Sequence, residues 1–200
     1  MKAKSTWIKL NNITLNKHKI TNKNKFKRFI WGIAYFMLYR PSPTIFHKWR
    51  CFLLRLFGAK IGTNVAPYPS AKIWAPWNLE MHDNSCLADG VICYSVGKII
   101  IGKDAVISQY THLCSATHDY KSKDFDLMVG NIEIGEKAWI CSEVFVGPGV
   151  KIGAGCVANS RSFVGKNLSE WSIYSGNPAK FIRERKIGWL KQFLNYLKPF

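Results

Sequence analysis

The chain has 200 residues, of which 48% are hydrophobic and 14% aromatic, and its formal net charge is +17. This length and composition suit one globular domain with an appendage and exclude a disordered chain. Six cysteines occur without any CxxC or CxxH pair, so neither a zinc site nor a small disulfide scaffold is indicated.

The positive charge is concentrated in residues 1–60. This segment holds 14 Lys and Arg and no Asp or Glu, whereas residues 61–200 hold 15 basic and 12 acidic side chains. A basic flank on a nearly neutral body indicates contact with an anionic surface, either phospholipid or nucleic acid. The flank lacks finger, knuckle or heptad spacing, and cations beside Trp, Tyr and Phe are at least as typical of a membrane interface. We therefore expect an anionic membrane surface rather than a nucleic acid as its partner.

An uncharged apolar run, "FIWGIAYFMLY", covers residues 29–39 within this flank. Its 11 residues are about half of the roughly 20 that a membrane-spanning helix needs. We expect a partly helical segment that lies in an interface or packs on the body. A signal peptide is the competing interpretation, but "RPSPTIFHKWR" follows the run in place of small residues at a cleavage site. The expected location is therefore the cytoplasm, with the basic flank peripheral on a membrane surface.

Residues 61–178 carry a six-residue repeat that fits neither an α-helix nor an alternating strand. This period predicts a parallel β-helix, in which each flat face of a coil turns one aliphatic side chain into an interior column. A small or β-branched residue four places later fits beside that column. The recurring aliphatic residues are Ile61, Ile73, Leu79, Val91, Ile101, Ile107, Leu113, Ile134, Ile140, Val146, Ile152 and Val164.

Glycine follows many of these aliphatic residues, and we expect it to occupy corners that require a positive φ. The glycines in question are Gly62, Gly102, Gly135, Gly147, Gly153 and Gly165.

The repeat is interrupted twice, near residues 94–99 and at residues 119–132. Stacked coils tolerate insertions only as loops on their flank, and such loops commonly carry function. His118 lies where the coil gives way to the longer predicted loop, which makes it the first candidate for a functional residue.

Residues 179–200 leave the repeat and form a C-terminal segment. Ile187, Leu190, Leu194 and Leu197 recur at helical spacing, with Lys191 between them. We expect a helix that caps the open end of the β-helix. Its basic residues leave membrane contact open as an alternative.

Several motifs resemble the hexapeptide acyltransferases, which transfer acetyl groups from acetyl-CoA. These are the repeat itself, "ATHDY", "GPGVKIGAG" and "GNPAKFIRE". With "RPSP", "WRCFLLRLFGAKIG", "YPSAKIWAPWNLE", "DGVICY" and "ISQYTHLCSATHDY", residues 26–186 are similar to the colanic acid biosynthesis acetyltransferases of bacterial exopolysaccharide clusters. The resemblance implies a left-handed β-helix, a homotrimer with active sites between subunits, acetyl-CoA as co-substrate, no metal, and a sugar or lipid-linked sugar as acceptor.

His118 matches the position of the family's catalytic histidine. A neutral imidazole, with an ordinary pKa of about 6.5, can accept the proton of a sugar hydroxyl as a general base. The alternative is a structural histidine hydrogen-bonded at the base of the loop. Asp119, Glu143 or a backbone carbonyl could orient the ring, and the sequence does not choose among them. We interpret His112 as structural or as facing a trimer contact.

The resemblance also assigns residues to acetyl-CoA. It places a backbone N–H donor for the thioester oxyanion at Ser142. The sequence "VGKNL" departs from the more usual "VTKD", so a hydroxyl near the cofactor is missing at Gly165. The pantetheine arm is assigned to Ser160, Ser162 and Gly165, and the CoA phosphates to Lys166, Lys180 and Arg183.

The sequence predicts the residues that contact the acceptor less clearly than those that contact acetyl-CoA. Tyr94, Asp89 and Trp77 suit carbohydrate hydroxyls, but each has an equally good interpretation as a core or turn residue. The leading hypothesis is an O-acetyltransferase acting on a sugar of an exopolysaccharide repeat unit. The alternatives are a soluble sugar or antibiotic acetyltransferase, a metal-dependent hydratase with His112 and His118 among its ligands, and a non-enzymatic scaffold or nucleic-acid binder.

Overall fold

The computed structural model describes residues 7–10 and 13–186 of the chain. The larger part of this chain, residues 60–175, forms coils whose short parallel strands stack into three flat faces. Face 1 contains β3 (Lys60–Ile61), β6 (Leu79–Met81), β9 (Ile99–Ile101), β14 (Ile132–Ile134) and β17 (Lys151–Ile152). Face 2 contains β4 (Ala66–Pro67), β7 (Cys86–Leu87), β10 (Val106–Ile107), β15 (Trp139–Ile140), β18 (Val157–Ala158) and β20 (Ser172–Ser175), with β21 (Lys180–Glu184) antiparallel at its edge. Face 3 contains β5 (Lys72–Ile73), β8 (Ile92–Tyr94), β11 (His112–Cys114), β16 (Phe145–Val146) and β19 (Phe163–Val164).

The three faces confirm the predicted parallel β-helix. Stacked coils place most aliphatic residues of the repeat above one another; Leu113, for example, pairs in register with Val146. The predicted register is wrong at Leu79 and Val91, because Met81 pairs with Ile61 and Ile101, and Cys93 pairs with Ile73 and Leu113. Leu113, Val146 and Ile140 have no exposed surface. The small positions are filled by equally buried residues: Ala71, Ala105, Thr111, Ala138, Val144, Val150, Cys156 and Ser162.

The explanation expected for the corner glycines is wrong. None of the six glycines that follow the aliphatic residues has a positive φ. At four of them, a Cβ would lie within 2.4 to 2.8 Å of the next coil, as at Gly135, where it would meet the Ala154 backbone nitrogen at 2.5 Å. Glycine is therefore required by the close approach of stacked backbones. In the corner after Gly102, the left-handed residue is Asp104, two places later.

Two helices of the basic segment pack against the first coils. They are α1 (Asn22–Ala34), which continues into a π-helical turn (Tyr35–Tyr39), and α2 (His47–Leu56). Trp31 is buried beneath α1 and donates its indole N–H to the Ile73 carbonyl at 2.7 Å. A 3₁₀ turn (Pro76–Asn78) connects face 3 to face 1 in the first coil.

Arg50 anchors α2, and no carboxylate among residues 13–186 pairs with it. Its side chain is fully buried, and its guanidinium donates to the carbonyls of Pro67 at 2.7 Å, Pro43 at 2.7 Å and Thr44. It also donates to the Ser42 hydroxyl at 2.8 Å. Burial lowers the pKa of Arg50 from its ordinary value, but the carbonyl oxygens satisfy its donors. The arginine thereby fixes the "RPSP" turn against the first coil.

The longer break in the repeat is mostly a hairpin. β12 (Ala116–His118) leaves face 3 and returns as the antiparallel β13 (Leu127–Val129), so the irregular part of the predicted loop is limited to residues 119–126. Part of the basic segment is extended as well, because β1 (Trp7–Leu10) and β2 (Ile13–Lys17) complete a four-stranded antiparallel sheet in the order β1-β2-β13-β12.

The predicted C-terminal helix at residues 187–197 lies outside the described residues. No helix within the described part of the chain combines the length and apolar composition needed to cross a bilayer.

The corner glycines generate a test of the stacking. Gly135→Ala should lower the free energy of unfolding by about 1–3 kcal/mol, because the added Cβ meets backbone that cannot rotate away. Gly32→Ala is the matched control: it lies within α1 with open space around its Cα. That substitution should stabilise the protein by about 0.5–1 kcal/mol. Denaturant unfolding at one protein concentration measures both, and equal losses for the two variants would contradict the stacking explanation.

Candidate active site

His118 is the last residue of β12 and stands at the base of the 119–126 turn. The strand directs it away from the coil, and its side chain is exposed. The coil itself has no room for such a group, because its inward positions are filled by aliphatic side chains. The break in the repeat therefore projects a reactive side chain beside face 3.

The ring of His118 is oriented by a backbone carbonyl. Its Nδ1 lies 2.8 Å from the Phe125 carbonyl oxygen, and the two rings stack with centroids 4.4 Å apart and planes 9° from parallel. A carbonyl oxygen can only accept a hydrogen bond, so in the neutral ring Nδ1 carries the proton and Nε2 keeps its lone pair. This arrangement is the one that a general base needs.

The two acidic candidates for this orienting role are engaged elsewhere. Asp119 accepts the Lys121 backbone N–H at 3.0 Å and closes the turn. Glu143 forms an ion pair with Arg161 at 2.6 Å, and Arg161 lowers the pKa of its carboxyl group. Of the three orienting groups considered from the sequence, the structure places a carbonyl at the ring.

The β2 strand holds the turn that carries Phe125. Lys17 and Asp126 form an ion pair at 2.7 Å, and the His18 backbone N–H donates to the Leu127 carbonyl at 2.8 Å. Asp126 also accepts the Ser122 hydroxyl at 2.9 Å. Lys17 lowers the pKa of the Asp126 carboxyl, so the pair remains charged at neutral pH. The orientation of His118 thus depends on a strand about one hundred residues earlier in the sequence.

A cavity of about 380 Å³, here called the Phe163 cavity, lies between β2 and face 3. Its walls include Leu15 from β2, Thr117 beside His118, Phe163, and Gly165 from the corner after β19. It therefore joins the strand of the candidate base to one of the predicted cofactor positions.

Ser142 and Ser160 are brought together by the stacking of coils. Both lie in the corner between faces 2 and 3, with their hydroxyl oxygens 3.3 Å apart. Among the described residues, the structure gives the Ser142 backbone N–H no acceptor, as an oxyanion donor requires. No hydrogen bond or ring contact within the described residues joins His118 to either serine.

The other predicted cofactor residues lie on the last coils. Ser162 is buried, and its hydroxyl accepts the Gly176 backbone N–H at 3.1 Å, so this side chain supports the fold. Lys166 is exposed directly after Gly165. Lys180 and Arg183 are exposed on β21, and the Ala179 N–H donates to the Phe163 carbonyl at 2.8 Å.

The three predicted acceptor residues are not brought together. Tyr94 lies on face 3 with its ring centroid 5.5 Å from that of Trp74. Asp89 accepts the Ser70 hydroxyl at 2.7 Å in the corner between faces 2 and 3. Trp77 lies in the 3₁₀ turn and packs against the core, with Lys27 over its ring at 5.5 Å.

A second cavity, here called the Tyr94 cavity, has a volume of about 410 Å³ and lies beneath α1. Besides Tyr94 it is lined by Trp74, Lys72 and Arg28, whose guanidinium lies 3.9 Å from the Trp74 ring centre. The sequence analysis missed these three residues. Lys72 and Trp74 stand on either side of the inward Ile73, so the sequence could have predicted that both point outward. It could not reveal that α1 covers them.

His112 occupies the outer side of face 3, half-buried with its ring edge-on to Phe145 at 5.1 Å. Burial lowers the pKa of His112, so the ring is neutral and packs as an aromatic group. Within the described residues, no three His, Cys, Asp or Glu side chains form a group that could hold a metal ion.

Comparison with known proteins finds relatives in sequence and in structure. The chain is 46% identical over 162 residues to "Putative colanic acid biosynthesis acetyltransferase WcaF" of Escherichia coli (strain K12), covering 81% of this chain and 89% of that protein. It is 46% identical over 65 residues to a chloramphenicol acetyltransferase of Escherichia coli, covering 32% of this chain and 31% of that protein. No protein-family model matches the chain.

One related structure is a galactoside acetyltransferase in complex with coenzyme A. It superimposes with a TM-score of 0.74 and 21% identity, covering 84% of this chain and 86% of that one. At this identity the likeness shows the fold. The WcaF match is long enough and similar enough to show the family. The chain belongs to the colanic acid biosynthesis acetyltransferase family of hexapeptide-repeat acetyltransferases.

Proposed function

We propose that the protein transfers the acetyl group of acetyl-CoA to a hydroxyl of a sugar in an exopolysaccharide repeat unit, with His118 as general base. The observation that carries the proposal is the His118 ring, whose Nδ1–H is held by a carbonyl while Nε2 has no hydrogen-bond partner within the described part of the chain. The acceptor class is supported by the relative named for colanic acid biosynthesis, and the co-substrate by the related structure that holds coenzyme A.

The proposed reaction is a direct transfer in a ternary complex. His118 Nε2 takes the proton of the sugar hydroxyl while its oxygen attacks the thioester carbonyl carbon. The oxyanion that forms accepts a hydrogen bond from the Ser142 backbone N–H. When the carbon–sulfur bond breaks, the leaving thiolate receives the proton from the imidazolium, which restores the base and releases CoA.

Acetyl-CoA is proposed to lie along the last coils. Ser160 and Gly165 leave space for the pantetheine arm, and Gly165 lines the Phe163 cavity beside the strand of His118. Lys166, Lys180 and Arg183 are exposed cations placed to meet the CoA phosphates. The Tyr94 cavity, with its aromatic walls and two cations, is the proposed contact for the acceptor.

We infer that the working enzyme is a homotrimer with active sites between subunits. This assignment is supported by the separation of the parts, because His118 and Ser142 make no contact within the described residues of one chain. A neighbouring β-helix would supply the second half of each site. The proposed location is the cytoplasm, at the inner membrane face where a lipid-linked repeat unit would be presented.

A soluble antibiotic or free-sugar acetyltransferase is the second candidate. It is favoured by the 46% identity to a chloramphenicol acetyltransferase, although that match spans only 65 residues.

The choice between these functions is tested by acceptor preference. With labelled acetyl-CoA, we expect transfer to glycolipids of the cell envelope to exceed transfer to free sugars or chloramphenicol by at least about tenfold in kcat/KM, a difference of about 1.4 kcal/mol. Mass spectrometry of the product identifies the modified sugar. Equal rates on lipid-linked and free acceptors would favour the soluble enzyme.

His118→Ala should lower kcat by at least about a hundredfold, the usual scale for loss of a general base. The matched control is His82→Ala, since His82 is exposed directly after β6 on face 1 and its ring contacts Glu80 at 3.1 Å. This variant should keep wild-type turnover. Steady-state kinetics with acetyl-CoA in excess measures both, and full activity of His118→Ala would remove the mechanism.

Lys17→Ala tests the positioning of the base by β2. Loss of the Asp126 ion pair should loosen the 119–126 turn and lower kcat by about two- to fivefold, with KM for acetyl-CoA unchanged. Lys17→Arg should restore the rate. Lys151→Ala removes a comparable exposed ion pair, to Glu133 at 3.0 Å on face 1, and should leave kcat unchanged. If both alanine variants lose the same activity, the effect is general and β2 does not position His118.

A further inference from the structure

The first helix presents apolar side chains on two opposite sides. Its inner side buries Trp31 against the β-helix, as described above. Its outer side continues into the π-helical turn and leaves Phe26, Phe29, Ile33 and Phe36 exposed by 66, 64, 49 and 72%. These positions recur at intervals of three and four residues, so they form one stripe along the helix.

The second helix repeats this arrangement. Ile45 before it and Trp49, Phe52 and Leu56 along it are exposed by 81, 39, 53 and 68%. Their spacing again defines a single stripe, opposite the buried positions of α2. The Trp49 indole N–H donates to the Leu38 carbonyl at 3.0 Å, which joins the two stripes. We call these two joined stripes the apolar plate.

An exposed apolar surface of this extent marks a contact site, since single scattered residues do not form continuous stripes. The charge around it identifies the kind of partner. Residues 1–60 contain no Asp or Glu. Exposed cations, among them Lys23, Lys25, Arg40 and Lys48, stand beside the apolar plate.

We propose that the apolar plate docks on the surface of a bilayer that contains anionic phospholipids. Phe and Trp side chains enter the boundary between headgroups and acyl chains, while the flanking cations meet the phosphates. The 13 residues of α1 are too few to cross a bilayer, so the helix lies in the plane of the interface.

A second copy of the chain fits this surface less well. Plate-to-plate contact would bring together two segments that each carry 14 basic and no acidic residues. Like charges would oppose that contact, whereas an anionic bilayer attracts it. The charge complementarity therefore favours the lipid surface.

This placement has a consequence for the acceptor, and here it rests on the proposed function. The inner side of α1 covers the Tyr94 cavity, with Arg28 and Lys72 in its wall. Docking through the outer side of the same helix would bring this cavity within one helix diameter of the headgroups, about 10 Å. A sugar attached to a membrane lipid could reach it without leaving the bilayer.

Vesicle flotation with the full chain tests the docking. Vesicles of phosphatidylcholine with phosphatidylglycerol should bind at least about ten times more protein than phosphatidylcholine alone. Raising NaCl from about 0.1 to about 1 M, which shortens the screening length from about 10 to 3 Å, should release most of it. Binding that ignores both lipid charge and salt would overturn the proposal.

The variant Phe29→Ser/Phe36→Ser should lower the partition coefficient at least tenfold, because two large apolar groups no longer enter the lipid. The matched control Tyr110→Ser/Trp139→Ser removes two exposed aromatic rings, one in the corner between faces 2 and 3 and one on face 2, and should bind as the unmodified chain does. Light scattering and circular dichroism verify subunit number and folding. Unchanged vesicle binding by the Phe29/Phe36 variant, or a changed subunit number, would overturn the proposal.

Transfer to a soluble acceptor, measured without vesicles, keeps this result separate from the proposed function. A variant that loses vesicle binding but keeps soluble transfer supports the docking surface alone. If the unmodified chain transferred acetyl groups to neither soluble nor lipid-linked acceptors, the proposed function would be refuted and the vesicle result would stand.

Discussion

Coil-on-coil stacking in strict register is the constraint from which the rest of this structure follows. Each backbone segment lies directly on its counterpart in the next coil, so a Cβ at Gly135 would come within 2.5 Å of backbone. The same stacking aligns the aliphatic side chains in the interior and buries nearly all of them. A scaffold this tightly packed cannot move a reactive group inward, so functional residues must occupy corners, outer faces or insertions.

The candidate site uses all three of these places. Ser142 and Ser160 stand at a corner, the Phe163 cavity lies over an outer face, and His118 belongs to an insertion. The insertion would be the least rigid of them, but it is built into a four-stranded sheet by β2. The turn that carries the Phe125 carbonyl, which fixes the His118 tautomer, is therefore held by β12 and β13 at its ends and by the neighbouring β2. Rigid coils position the proposed acyl donor, and the sheet positions the proposed base.

Much of this could be predicted from the sequence, because the repeat is a local signal. The six-residue period gave the fold class and placed His118 at a break. The period could not give the reason for glycine at the corners, since close approach of backbones depends on coil spacing rather than on φ. It also could not select the Phe125 carbonyl over Asp119 or Glu143, because a turn of residues 119–126 has no periodic pattern to fix its geometry.

The other features that the sequence analysis missed depend on contacts between segments that are far apart in the sequence. The alternation of Ile13 and Leu15 with polar residues in "ITLNK" was a strand signal, but its partner β13 lies more than one hundred residues later. In the run at residues 29–39, hydropathy alone cannot separate the inward Trp31 from the outward Phe29 and Phe36. Only the packed structure shows that this run both covers the body and leaves a second apolar side exposed.

The pairing of β2 with β13 also sets the order in which the molecule can be completed during synthesis. Lys17 leaves the ribosome long before its partner Met128 is made. At about 5–20 residues per second, this delay is roughly 5–20 seconds. Throughout that interval Ile13 and Leu15 have no cover. A nascent chain that has only its first three coils therefore cannot yet complete the sheet that holds the turn beside His118.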